Sequence, residues 1–264
     1  TSSVLAGTVV LGSDLFMEPG TTLDADLVRL EAKLVEPAGT YAVGRTEVTS
    51  YLSLSADTMV SYPDFRVQPG GRIDVGPHTL TIDSDYTQNL SGNGQGLYLS
   101  DPSSEVIITG TATFQGNYYS SMNSGALRLR GDLVTGSYDS FRPGSSMTTY
   151  LEGTSPQNVT FLRAASADSR FGSLVVTNPA GVTMQATNST PDFIANHVTI
   201  EDGALLRSPM LTASNTLTLN GSGRIEGPAG ARMTLLESSE DMAMNGTSSV
   251  LAGTVVLGSD LFME

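Results

Sequence analysis

The sequence predicts an all-β protein, a right-handed parallel β-helix (β-solenoid) forming a continuous rod. Three observations predict it: an identical text near both ends of the chain, a recurring strand-and-turn cassette, and a composition rich in turn formers.

The repeat carries the most weight. Residues 1–18 read TSSVLAGTVVLGSDLFME and residues 247–264 read the same letters, an offset of 246 residues (247 − 1). Repeats that share only a fold drift at their surface positions, and these have not. The chain therefore divides into one solenoid repeat unit, 1–246, and the start of the next identical repeat, 247–264. It opens without Met, and the second copy stops at Glu264, where the first continues into Pro19-Gly20. Both ends read as cuts in a repeating text, so the parent chain is expected to continue in both directions. A single duplicated segment in a finite domain is the plainer alternative.

The cassette sets the size of one coil. Apolar residues alternate with polar ones and end in Gly, Asn or Asp: Leu80-Thr81-Ile82-Asp83, Leu127-Arg128-Leu129-Arg130-Gly131-Asp132, Leu174-Val175-Val176-Thr177-Asn178, Val198-Thr199-Ile200-Glu201-Asp202-Gly203 and Leu217-Thr218-Leu219-Asn220-Gly221. Alternation places one set inward and the other in water. The terminal residues suit corners, where φ turns positive or a side chain closes a turn. The starts lie 47, 47, 24 and 19 residues apart (127 − 80, 174 − 127, 198 − 174, 217 − 198). One or two rungs of about 19–24 residues account for those gaps. One segment also allows a helix, with Leu27, Leu30 and Leu34 at helical spacing. Val28, Leu30, Ala32 and Leu34 fit a strand face as well, and the surrounding text favours the strand.

Composition limits the function classes. The net charge is −14, with 13 Lys and Arg against 27 Asp and Glu. Nucleic acid and anionic membrane surfaces both call for basic residues, so neither is an expected partner. With no Cys there is neither a disulfide nor thiol chemistry. No apolar run is long enough to span a bilayer. No Pro-rich linker separates Asn245-Gly246 from Thr247, which favours stacked units over beads on a string.

Residues 125–182 hold the most distinctive text. Leu127, Leu129, Gly131, Asp132, Phe141, Leu151, Gly153, Thr154, Gln157, Val159, Phe161, Phe171, Leu174, Val176, Asn178, Gly181 and Val182 fit a pattern: an LxVxGD strand, then F…GT…V.L.GT..Q.V.F, then S.F..L.V.N..GV. This resembles a repeat of large bacterial surface and secreted proteins, the adhesin-like tandem-repeat β-solenoids. The resemblance covers roughly a quarter of the chain. It implies a β-rich, secreted, repetitive surface protein and carries no catalytic residues.

The side chains offer little for chemistry. The only histidines, His78 and His197, lie at a turn and at a strand start, and no GxSxG elbow occurs. Asp83 and Asp85 share a face at i, i+2, and Glu201-Asp202 forms a second acidic spot. Paired carboxylates of this kind can hydrolyse glycosides, yet Asp is equally a turn former. For metal, Asp83, Asp85, Asp101, Glu237, Glu240 and Asp241 are the residues a Ca²⁺ ion would use, since Ca²⁺ takes several oxygen ligands on loops. Solvated turn acids explain the same positions, and the expectation is no cofactor. Arg130-Gly131-Asp132 spells a cell-attachment tripeptide but coincides with the end of a cassette. Tyr118-Tyr119, with Phe114 and Tyr98, offers rings on which a sugar would stack.

The expected function is a structural or adhesive extracellular or cell-surface fibre, not an enzyme. Its expected partners are itself, by end-to-end stacking, and a carbohydrate or cell-surface ligand. Two alternatives stand beside it: a carbohydrate-active β-helix (polysaccharide lyase or hydrolase), and an array of β-sandwich adhesin domains.

Overall fold

The computed structural model describes residues 3–4, 7–13, 17, 19–34, 40–90, 96–116, 122–136, 140–165, 169–189, 191–228, 231–235, 242–245, 250–251, 254–257 and 261–263. Among them are 28 strands and no helix, hence no helix long and apolar enough to cross a membrane. The strands form sheets of 13, 12 and 3 members whose neighbours pair in parallel.

Each turn of the coil visits a 12-stranded sheet and then a 13-stranded one. Glu105–Ile108 lies in the former and Ala112–Gln115 in the latter, with a corner at residues 109–111 between them. The 3-stranded sheet, Tyr51–Ser53, Arg72–Asp74 and Gly96–Tyr98, adds a third side early in the chain. The architecture is a parallel β-solenoid, and the β-sandwich alternative does not match it.

Register gives the rung length directly. Along one line of the long sheet Arg29 faces Glu47 (47 − 29 = 18), Glu47 faces Arg66, and Thr87 faces Thr113 (113 − 87 = 26). Turns therefore take 18 to 26 residues, close to the cassette spacing. The ambiguous segment is the strand Thr22–Leu30. Val28, Leu30 and Leu34 are buried, whereas Ala32, past the strand end, is exposed.

Alternation builds the core. Ile82, Ile108, Leu129, Leu151, Val176, Ile200 and Leu219 pair in register on successive rungs, and none is exposed to solvent. Burying each such side chain stabilises the coil by about 1.5–3 kcal/mol. Beside these columns runs an aromatic spine, Tyr41, Tyr62, Phe65, Tyr86, Phe114, Phe141, Phe161 and Phe193, with Phe171 packed between Phe141 and Phe161. Successive ring centroids lie 5.1–6.1 Å apart in tilted or edge-on contacts. That geometry suits the ring quadrupoles and ties each rung to the next.

The two copies of the repeated text occupy equivalent places only in part: Ser3–Val4 and Val250–Leu251 both join the long sheet, but the next strands do not match. Thr8–Leu11 pairs with residues 27–30 in the long sheet, whereas its twin Thr254–Leu257 pairs with Arg232–Leu235 in the 12-stranded sheet. Both are strands because Thr-Val-Val-Leu has strand propensity. Which sheet each joins follows from the edge its neighbours present.

Candidate functional site

The acids singled out by the sequence are held in corners. Asp85 Oδ1 accepts a hydrogen bond from the Thr111 backbone N–H at 2.7 Å, one rung on. Asp57 does the same for Thr79 at 2.9 Å, Asp132 for Asn158 at 2.7 Å and Asp202 for Ser222 at 2.8 Å. Asp83 Oδ1 accepts from Thr109 Oγ1 at 2.9 Å. Asp101 closes a local turn, accepting from Ser103 N and Oγ at 2.8 and 2.6 Å, and those bonds hold its carboxyl below the usual range. Among the described residues no three acidic or histidine side chains gather to hold a metal. Glu237, Glu240 and Asp241 lie outside the described residues, as do Tyr118 and Tyr119.

The remaining candidates are also engaged. Arg130 pairs with Glu152 at 3.3 Å, so two members of the Arg-Gly-Asp tripeptide bond within the coil. Phe114 is fully buried in the spine, and Tyr98 lies under the Arg72 guanidinium at 3.6 Å. Phe114 is therefore closed to a sugar, and one face of Tyr98 is already covered.

The pattern of residues 125–182 has a structural basis. Gln157 is buried at a corner and makes four bonds: Nε2 donates to Leu129 O (3.0 Å) and Gly131 O (2.7 Å), while Oε1 accepts from Gly153 N (2.8 Å) and Asn178 Nδ2 (2.8 Å). Asn178 Nδ2 also donates to Ser155 O at 2.8 Å. A Cβ at residue 153 would lie 2.7 Å from Gln157 Cδ, and Gly181 turns the chain at φ +97°. Gly153, Gln157, Asn178 and Gly181 of the pattern therefore build the corner.

A site with room for a ligand lies where the register breaks. Along Phe193–Ile200 and Met210–Asn220, Ala195 pairs with Ala213 but His197 pairs with Thr216. The extra residue makes a bulge, a device that re-aims side chains and recurs beside functional sites. Asn196, His197, Ser214, Asn215 and Thr216 are all at least partly exposed there. His197 Nδ1 lies 2.8 Å from Thr216 Oγ1, and its Nε2 lies 3.5 Å from Asn215 Nδ2.

Beside the bulge opens a cleft of about 460 Å³. Arg170, Asp192, Asn196, Ser214, Arg232 and Thr234 supply polar groups to it, and Phe171, Ile194 and Met210 supply apolar ones. Asp192 Oδ1 accepts from Thr212 Oγ1 at 2.7 Å. Burial presses the Arg170 guanidinium below its ordinary pKa, and the positive charge of neighbouring Arg142 presses it the same way. The sequence named Phe171 only as a pattern residue and His197 only as a strand-start histidine, and neither as part of a cleft. The signal for it was the pair of polar dipeptides, Asn196-His197 and Ser214-Asn215, interrupting two strand texts at matching places.

Comparison with protein-family models, with curated proteins and with solved structures gives no match for this chain.

Proposed function

We propose that the protein is part of an extracellular or cell-surface fibre of bacterial adhesin-like type, built from tandem solenoid repeats stacked end to end. Its role is reach, scaffolding or adhesion rather than catalysis. The observation that carries this reading is the behaviour of the second repeat's opening. Val250–Leu251 extends the long sheet, and Thr254–Leu257 and Leu261–Met263 extend the 12-stranded sheet. The repeated text thus continues the coil of the unit before it. A parallel edge recruits further strands, so one unit is a template for the next. The corner acids support the non-enzymatic reading, because each has a structural bond.

Electron microscopy of the native, full-length material tests this. A 246-residue period wound at 18–26 residues per turn rises about 45–65 Å when each turn climbs about 4.8 Å. A smooth rod with that axial repeat is expected. Globular heads joined by flexible linkers would overturn the fibre.

A further inference from the structure

We propose that two copies of this chain join end to end by exchanging the repeated text, so that residues 1–18 of one copy take the place of residues 247–264 of the other, and the reverse. This rests on the end-to-end stacking proposed above and adds the segment that locks each junction.

Identity of sequence is the first argument. Residues 1–18 and 247–264 agree at all 18 positions. Whatever bonds one copy of the text makes in a given place, the other copy makes there too. Exchange of an identical element between protomers conserves its contacts, which makes it a low-cost route to association. The two places lie at the two ends of the coil. At the first, Ser3–Val4 pairs with residues 23–24 and Thr8–Leu11 with residues 27–30. The Gly7 carbonyl there accepts from the backbone N–H groups of Asp26 and Leu27, and the Leu11 carbonyl accepts from that of Glu31. At the second, Val250–Leu251 pairs with residues 224–225, Thr254–Leu257 with Arg232–Leu235, and Leu261–Met263 with residues 242–244.

Tolerance of both surroundings is the second argument. Thr-Val-Val-Leu is a strand of the long sheet at one end and of the 12-stranded sheet at the other. Composition makes it a strand, and the edge it meets decides its partner. In a stack, the last text of one copy and the first text of the next are neighbouring layers. Exchange moves each by one rung, about 4.8 Å. Residues 12–21 connect the first text to Thr22–Leu30, and residues 246–249 connect Met242–Asn245 to the second. Chain extends by up to about 3.3–3.6 Å per residue, so two extended residues cover the shift. The junction joins the end of one copy to the start of the next. It is therefore heterologous, and exchange repeats without closing. Copies that only stack separate by parting two faces, whereas exchanged copies separate only after both texts leave their places.

The test uses disulfides, because the chain has no Cys of its own. Thr234 pairs with Val256, whose twin in the first text is Val10 (256 − 246). Within one chain Val10 pairs instead with Arg29, at the opposite end of the coil. Chains carrying Val10→Cys are mixed with chains carrying Thr234→Cys and oxidised, and linked peptides are identified by mass spectrometry. Exchange places positions 10 and 234 of different copies opposite each other. Stacking without exchange leaves them two rungs or about 9.6 Å apart, beyond the reach of a disulfide at about 7 Å between Cα atoms. A link between positions 10 and 234 is expected at least tenfold above that between Val10→Cys and a mid-coil Thr160→Cys. Val28→Cys mixed with Val255→Cys reads the other half of the exchange, since Val9, the twin of Val255, pairs with Val28. Val10 is exposed and Thr234 half-buried, so the first pair spares the core, and circular dichroism checks the fold of each variant. Filaments under the electron microscope with neither link above the mid-coil control would overturn exchange and leave the fibre standing. Discrete particles with neither link would overturn both. Links confined to short oligomers would uphold exchange and overturn the long fibre.

Discussion

Replacing Gln157 by alanine removes the centre of the buried corner. The Gly153 N–H loses its bond to Oε1, and the Gly131 carbonyl loses its bond to Nε2. Leu129 O keeps the Glu152 N–H at 3.0 Å, and Asn178 Nδ2 keeps Ser155 O. The principal damage is therefore the stranded Gly153 donor, at about 1–3 kcal/mol, with about 1 kcal/mol for each further bond lost. Together these give a destabilisation of about 4–6 kcal/mol for Gln157→Ala. Urea unfolding followed by far-UV circular dichroism measures it, with tyrosine fluorescence as a second probe because the chain has no Trp. Solenoids can unfold in segments, so hydrogen exchange should locate the loss in Ser146–Leu151 and Gln157–Phe161. Asn178→Ala and the double variant complete a cycle, in which the Gln157–Asn178 bond predicts a coupling above about 0.5 kcal/mol. A Gln157→Ala loss below about 1 kcal/mol, at unchanged denaturant slope, would refute the argument.

Two further outcomes follow from buried and paired groups. Thr149 stands in a column between Leu127 and Leu174, is fully buried, and its Oγ1 has no hydrogen-bond partner. Thr149→Val keeps the shape and removes the stranded hydroxyl, so urea unfolding should show a gain of about 1–2 kcal/mol; a loss instead would mean that the hydroxyl has a partner. Burial of Asp64 opposes its ionisation, but hydrogen bonds from Arg66 and Arg45 outweigh this and hold its pKa below the ordinary 3.8. The folded value is depressed, so this stabilisation is complete above the unfolded carboxylate range and is lost as pH falls through the lower folded value. Asp64→Asn should thus be less stable than wild type at neutral pH, with the gap closing as unfolding is measured at progressively lower pH. A gap independent of pH would show that the two arginines do not stabilise the charged form.

What was legible in the sequence is what depends on local chemistry. The alternation at Leu80-Thr81-Ile82 or Leu217-Thr218-Leu219 is a strand of period 2 whatever lies beside it. Asp83, Asp85 and Asp132 read as corner residues because Asp closes turns, and they sit at corners. The cleft was not legible, because it depends on which residue of one rung meets which of the next. Nothing in Asn196-His197 alone says that Ser214-Asn215 lies across from it with an extra residue. The aromatic spine was hidden for the same reason, since most of its contacts join rings on different rungs and are made only once the register is known. The twin Thr-Val-Val-Leu segments show the limit most directly: one text gives two strands in two different sheets.

That limit bears on how the coil keeps its register. The inward columns are nearly uniform: Ile82, Ile108, Leu129 and Leu151 are similar in size and chemistry, and a chain shifted by a whole rung would bury them almost as well. Apolar columns therefore supply stability without identifying the rung. The polar positions do identify it. Arg29, Glu47 and Arg66 alternate in sign along one line of the long sheet, so a slip of one rung sets Arg29 against Arg66 and takes from Glu47, only 6% exposed, its 3.3 Å bond with Arg29. For a mostly buried carboxylate, losing a partner costs more than the pair contributes. The Gln157–Asn178 corner acts likewise, because only rungs carrying both residues satisfy all of its bonds. In the proposed fibre, units stacked end to end would face the same choice at each junction. The polar residues near the repeat boundary, rather than its apolar ones, are then what would make a unit add in one register and no other.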